Sequence, residues 1–219
     1  MNTLFNEELV SKIRKASIVA VLMIDDADHA VPLARALIRG GITAVELTLR
    51  TQAALESLKR IRVEVPELLA GVGTILDREQ VRQVKEGGAL FGVAPGLNPS
   101  VVEAAGEYGL PFAPGIMTPS EIELAYSLGC RVMKLFPAEH AGGLDYLNSI
   151  NAPYAHLGIG YIPLGGVSLE NLRSYLEHPA IVAVGGSWLA PRKLVQDGDW
   201  DRISRNCEAA WKIVSDIRK

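Results

Sequence analysis

The stretch 131-RVMKLFPAEH-140 sets a lysine at the centre of a run that otherwise reads as a buried β-strand. Val132, Met133, Leu135 and Phe136 suit a strand, and Pro137 ends it because proline gives no N–H to a ladder. A strand lysine usually lies at a sheet edge with its head in water. A closed sheet offers no such edge. The meaning of Lys134 therefore depends on how many strands the chain holds and whether they close.

Outward from that run, seven more short apolar runs recur, most of them with Gly or Pro at the end: 18-IVAVLMI-24, 44-AVELTLR-50, 68-LLAGVGT-74, 90-LFGVA-94, 111-PFAP-114, 159-IGYIPL-164 and 181-IVAVG-185. Between them lie segments with apolar residues at three- and four-residue intervals, including residues 27–41, 51–65, 77–88, 118–129 and 168–178. Asp77 and Ser168 suit N-caps of such segments, and Gly40, Gly87 and Gly129 suit their ends. The eight runs begin 20 to 28 residues apart, about one βα unit each, with no Pro/Ser-rich linker between them.

That pattern predicts a single (βα)8 TIM barrel domain over residues 1–219. A doubly wound open sheet is the alternative, but the first turn carries no GxGxxG. The segment 6-NEELVSKIRK-15 predicts an extra N-terminal helix closing the barrel's lower mouth. Residues 199–219 predict a final helix with Ile203, Cys207, Ala210, Trp211 and Val214 on its inner stripe.

The chain has 219 residues, 48% apolar and 21% charged, enough for one sizeable core. A net charge of -3 argues against nucleic acid or an anionic membrane as a partner. No run has the apolar length of a membrane span, and the opening residues lack a signal peptide's apolar region, so the cytoplasm is the expected address. Two distant cysteines and four scattered histidines, His29, His140, His156 and His178, point to neither a disulfide framework nor a metal site.

Strand parity then assigns faces. Val45, Leu47 and Leu49 are expected to meet the helices, while Glu46, Thr48 and Arg50 point into the barrel. Met133 and Leu135 likewise face outward, and Val132, Lys134 and Phe136 inward. Lys134 and Glu46 thus share one lumen near the carboxyl ends of the strands, where barrels of this architecture carry their active sites. A buried ion pair is the structural reading of the two. The chemical reading is an amine that attacks a ketone and a carboxylate that moves protons, the minimum for a class I aldolase. Arg50 could fork onto a carboxylate beside Thr74, or serve as a surface ion pair. The pairs in 165-GGVS-168 and 185-GGSWL-189 suit an anion site after strands seven and eight, or simple turns.

LTLRT, GVGTIL, VAPGL, PGIMTPSE, KLFPAE and GGSWL, in that order from residue 47 to 189, resemble the 2-keto-3-deoxy-6-phosphogluconate (KDPG) aldolases, which overlap with 4-hydroxy-2-oxoglutarate aldolases. The resemblance implies a metal-free, cofactor-free homotrimeric barrel that cleaves a keto acid to pyruvate and glyceraldehyde 3-phosphate. It implies Lys134 as the Schiff-base lysine and Glu46 as the general acid and base. Arg50 and Thr74 match carboxylate binders, Pro95 and Phe136 match walls of the pyruvyl site, and Gly165, Gly166 and Ser187 match the phosphate loop. The family's PTGG reads 163-PLGG-166 here, so Leu164 brings no hydroxyl near the substrate's C4 and C5. Met23 stands where some relatives place an arginine. A sugar-phosphate isomerase or epimerase, and a non-catalytic barrel that binds a phosphorylated ligand, are the other functions the pattern permits.

Overall fold

The computed structural model describes residues 4–217, so residues 1–3 and 218–219 of the expected domain and its last helix lie outside the described residues. Strands and helices alternate along the chain. They run α1 (Glu7–Ala16), β1 (Ile18–Leu22), α2 (Ala30–Arg39), β2 (Ala44–Thr48), α3 (Ala54–Glu64), β3 (Leu69–Gly73), α4 (Arg78–Glu86), β4 (Gly92–Val93) and α5 (Pro99–Glu107). There follow β5 (Phe112–Ala113), β6 (Gly115–Ile116), α6 (Pro119–Ser127), β7 (Val132–Leu135), α7 (Gly143–Asn151), β8 (Gly160–Pro163), α8 (Leu172–Glu177), β9 (Val184–Gly186), α9 (Arg192–Asp197) and α10 (Trp200–Ile217).

Every ladder is parallel. The strands form a six-stranded sheet in the order β5-β4-β3-β2-β1-β9 and a three-stranded sheet in the order β6-β7-β8. The division differs from eight unbroken strands because the run at 111–114 yields two short strands about Pro114, which has no N–H to donate. Hydrogen bonds nonetheless join the sheets. The Lys134 N–H donates to Pro114 O at 2.9 Å. At the other side, Tyr161 bridges Ile181 in parallel, and the Val182 N–H donates to Tyr161 O at 2.9 Å.

The core has two parts, and strand parity sorts residues between them. Val45, Leu47, Ala70, Val72, Met133 and Leu135 belong to the large cluster that also holds helix residues such as Leu33, Leu37, Leu58 and Ile203. Ala44, Val132, Ile162 and Val182 belong to a second cluster with Leu9, Ile13 and Ala16 of α1 and with Phe5, two residues ahead of it. The expected N-terminal helix therefore packs against inward-facing strand residues. It is capped by Asn6, whose side chain accepts the Leu9 N–H at 2.8 Å, and acidic residues occupy its first turn with basic residues in its last, as the helix dipole favours.

Helix boundaries mostly follow the local signals. Asp77 caps α4 by accepting the Gln80 N–H, and Gly40 and Gly87 end α2 and α4. Ser168 does not cap its segment: α8 starts only at Leu172, and Ser168 instead donates its N–H to the Asn171 side chain at 2.8 Å. Ile203, Cys207, Ala210 and Val214 of α10 are buried, while Trp211 is half-buried over Gly41, where even a β-carbon would come within 2.6 Å of its ring. Cys130 and Cys207 are free and buried, and desolvation pushes both thiols up to about 12.

Candidate active site

At the carboxyl ends of the strands lies a cavity of about 320 Å³, lined by Val21, Glu46, Thr48, Arg50, Thr74, Pro95, Lys134, Phe136, Leu164, Gly165, Gly185, Gly186 and Ser187. Strand period explains the gathering. Residues two apart on one strand share a face, so Glu46 and Thr48 of β2 and Lys134 with Phe136 of β7 and its end reach the same space.

Lys134 and Glu46 face each other across it. Lys134 Nζ donates to Glu46 Oε1 at 3.1 Å and lies 3.4 Å from Oε2. Only 5% of Lys134 and 2% of Glu46 is exposed, so this pair escapes most of the solvent screening that weakens surface ion pairs. No other salt bridge found among the described residues joins two buried side chains; the rest are exposed or half-exposed. Lys134 Nζ also sits 5.5 Å from the centroid of the Phe136 ring, within cation–π range. β7 lies between β6 and β8, so Lys134 does not take the edge position usual for a strand lysine.

The rest of the wall is supplied by strand ends. Arg50 is exposed at the rim. Thr74 has φ 62°, an uncommon backbone for a β-branched residue and the kind of strain found where a loop is held for a purpose. Thr48 points inward too, but its hydroxyl donates to Leu22 O at 3.0 Å, tying β2 to β1. Gly165 lines the cavity at φ +91°, which only glycine adopts readily. Gly166 is not brought to the wall. It is exposed and packs on Glu139, whose Cβ would lie 2.4 Å from a β-carbon there.

Every other predicted site residue, Lys134, Glu46, Arg50, Thr74, Pro95, Phe136, Gly165 and Ser187, lines the one cavity. Gly185 of the second GG pair lines it as well, and Val21, which the sequence reading did not single out, joins them as β1 parity would have it. Met23, by contrast, is absent from the lining.

A parallel α/β protein with a buried amine and carboxylate in hydrogen-bond contact at the carboxyl ends of its strands has the equipment for imine chemistry on a carbonyl substrate. The chain belongs to the KDPG and KHG aldolase family, whose model matches residues 9–206. It is 41% identical over 199 residues to the 2-dehydro-3-deoxy-phosphogluconate aldolase of Haemophilus influenzae, a match covering 91% of this chain and 93% of that one. It is 40% identical over 188 residues to the KHG/KDPG aldolase of Escherichia coli, covering 86% and 87% respectively. Among solved structures, the KDPG aldolase of Legionella pneumophila, with pyruvate captured at low pH as a covalent carbinolamine intermediate, superimposes with a TM-score of 0.88 at 31% identity. That superposition covers 94% of this chain and 98% of that chain.

Proposed function

We propose that the chain is a class I aldolase that cleaves KDPG to pyruvate and glyceraldehyde 3-phosphate through an imine on Lys134. The observation that carries this reading is the contact of 3.1 Å between two buried groups, Lys134 Nζ and Glu46 Oε1. Glu46 accepts a proton from the Lys134 ammonium, freeing the amine to add to the substrate's C2 carbonyl, and returns that proton to the carbinolamine hydroxyl, which leaves as water to give a protonated imine and a carboxylate again. Glu46 next takes the proton of the C4 hydroxyl. The C3–C4 bond breaks, the aldehyde leaves, and the bonding pair passes into the imine to form an enamine. Reprotonation at C3 and hydrolysis release pyruvate and free the lysine.

Arg50 and Thr74 are assigned to the carboxylate of the pyruvyl half, and Pro95 and Phe136 to its walls. Gly165 and Ser187 are assigned to the distal phosphate, with Gly166 following Gly165 in the same turn. Cleavage of 4-hydroxy-2-oxoglutarate is the second reading, favoured by the apolar Val21 and Leu164 on a wall that offers few groups to a phosphorylated polyol. Comparing kcat/KM for the two substrates decides between them.

The central test is borohydride reduction in the presence of pyruvate, followed by mass spectrometry. A reduced adduct on the peptide carrying Lys134 is expected. Turnover without any adduct would favour an isomerase or epimerase that uses Glu46 as a base, and no turnover of any keto acid would favour a non-catalytic binding barrel.

We further read residues 1–219 as one domain and the two sheets as a single closed (βα)8 barrel, with β5 and β6 as halves of the fifth strand. The hydrogen bond from Lys134 to Pro114 and the Tyr161–Ile181 bridge support that closure. Assembly as a homotrimer is carried from the family resemblance, and a cytoplasmic address from the sequence reading. Among the described residues no helix is long and apolar enough to cross a membrane, and sedimentation equilibrium tests the trimer.

A further inference from the structure

We infer that Gly73 is a positioning residue for Glu46, fixing its carboxylate beside Lys134 by having no side chain. This rests on the reading of Lys134 and Glu46 as the reacting pair. In β3, 69-LAGVG-73, Ala70 and Val72 face the helices, so Gly71 and Gly73 take the inward positions. Long side chains from the neighbouring strands lie across both. A β-carbon at Gly71 would come within 2.3 Å of the Phe91 ring.

At Gly73 the occupant is the carboxylate itself. A β-carbon there would lie 1.8 Å from Glu46 Oε1, 2.4 Å from Cδ and 2.7 Å from Cγ. In the β2–β3 ladder Glu46 stands opposite Gly71, and Gly73 opposite Thr48. The glutamate side chain therefore reaches one inward position further up to rest on the bare backbone of Gly73. On its other side it meets Lys134 Nζ at 3.1 and 3.4 Å. The carboxylate is clasped between a strand without a side chain and the amine it serves.

Space, rather than backbone freedom, is what the glycine supplies. Gly73 is not among the glycines with positive φ, so alanine suits its backbone, and the three atoms its β-carbon would meet first all belong to Glu46. The end of a side chain yields more readily than a central strand. Gly73→Ala therefore leaves the fold intact and turns the carboxylate out of its contact with Lys134.

The test places Gly73→Ala in wild type, in Glu46→Ala and in Glu46→Asp. It follows pyruvate release from KDPG, the rate at which a borohydride-trappable pyruvate imine forms, and thermal melting. In wild type the substitution is expected to lower kcat and the imine rate by about 10² or more, the scale of lost acid–base catalysis, with KM nearly unchanged, and to lower Tm. In Glu46→Ala, where the overlapping atoms are gone, it should change neither rate nor Tm, and in Glu46→Asp, with a shorter side chain, its cost should shrink. Equal losses in all three backgrounds, or a fully active Gly73→Ala enzyme, would overturn the inference. Failure of the parent reading looks different: wild type then leaves no borohydride adduct, and the catalytic role of the pair falls together with that of Gly73.

Discussion

The two ends of the strand bundle use their inward-facing positions in opposite ways. At the amino ends, Phe91, Val132, Ile162 and Val182 meet Phe5, Leu9 and Ile13, and the space is filled by hydrocarbon. At the carboxyl ends, the same strands offer Lys134, Glu46 and a cavity of about 320 Å³. One step along a strand separates the two regimes: Val132 belongs to the apolar plug and Lys134, two residues on, to the cavity. A buried ion pair contributes little net stability, because desolvation offsets its attraction, whereas apolar burial stabilises in proportion to area. The lower end thus holds the bundle, and the upper end is free to carry costly groups.

Substitutions at the two ends should therefore separate activity from stability. The largest effect on turnover is expected of Lys134→Met, with no pyruvate adduct and a fall in kcat of roughly 10⁴-fold or more. It also strands the Glu46 carboxylate, so Lys134→Met/Glu46→Gln should melt higher than Lys134→Met alone, a comparison that differential scanning calorimetry makes directly. Glu46→Gln ranks next: imine formation persists but slows, and turnover drops by about 10²–10⁴. Undiminished turnover in that variant would remove Glu46 from the chemistry. At the other end, Ile13→Ala should cost about 2–5 kcal/mol of stability in urea titrations while kcat per folded molecule stays unchanged. A loss of kcat there would mean the two ends are coupled.

The smallest effect concerns a clasp at the rim. Asp25, just after β1, accepts from Arg192 Nε at 2.8 Å, Arg192 Nη2 at 2.6 Å and Gln196 Nε2 at 2.9 Å, joining β1 to α9. The hydrogen bonds from Arg192 and then Gln196 hold its carboxyl at about 2, below the ordinary value of 3.8. A carboxylate lowered in the folded state adds stability that is fully present above about pH 4 and lost as pH falls towards 2. Because the site is solvent-exposed the effect should be slight. The gap in urea midpoint between wild type and Asp25→Asn should be visible at pH 7 and closed near pH 2.

Much of this division was legible in the residues. The period of two along AVELTLR and RVMKLF was sufficient to send Glu46 and Lys134 inward and Leu47 and Met133 outward, because alternation is a property of the extended backbone and survives any detail of packing. The cap at Asp77 and the helix at residues 7–16 were equally local. Ser168 misled because its residue type suits an N-cap, whereas α8 begins only at Leu172 and the Ser168 N–H is taken by the Asn171 side chain. Gly166 was grouped with the cavity on its motif, yet two successive residues of a turn face different ways. Gly73 passed unremarked, although glycines alternating along one face of a strand are a visible sign that something else needs the room.

By itself, then, the sequence determined the alternation of strand and helix, the inward direction of the lysine and the glutamate, and the family to which the chain belongs. The tertiary structure decided that the amine and the carboxylate, 88 residues apart, stand 3.1 Å from each other, and that the carboxylate lies on Gly73. Periodicity assigns a face to each residue of one strand. Which side chain crosses onto a neighbouring strand's empty position depends on the stagger between strands, and that stagger exists only once the sheet has formed.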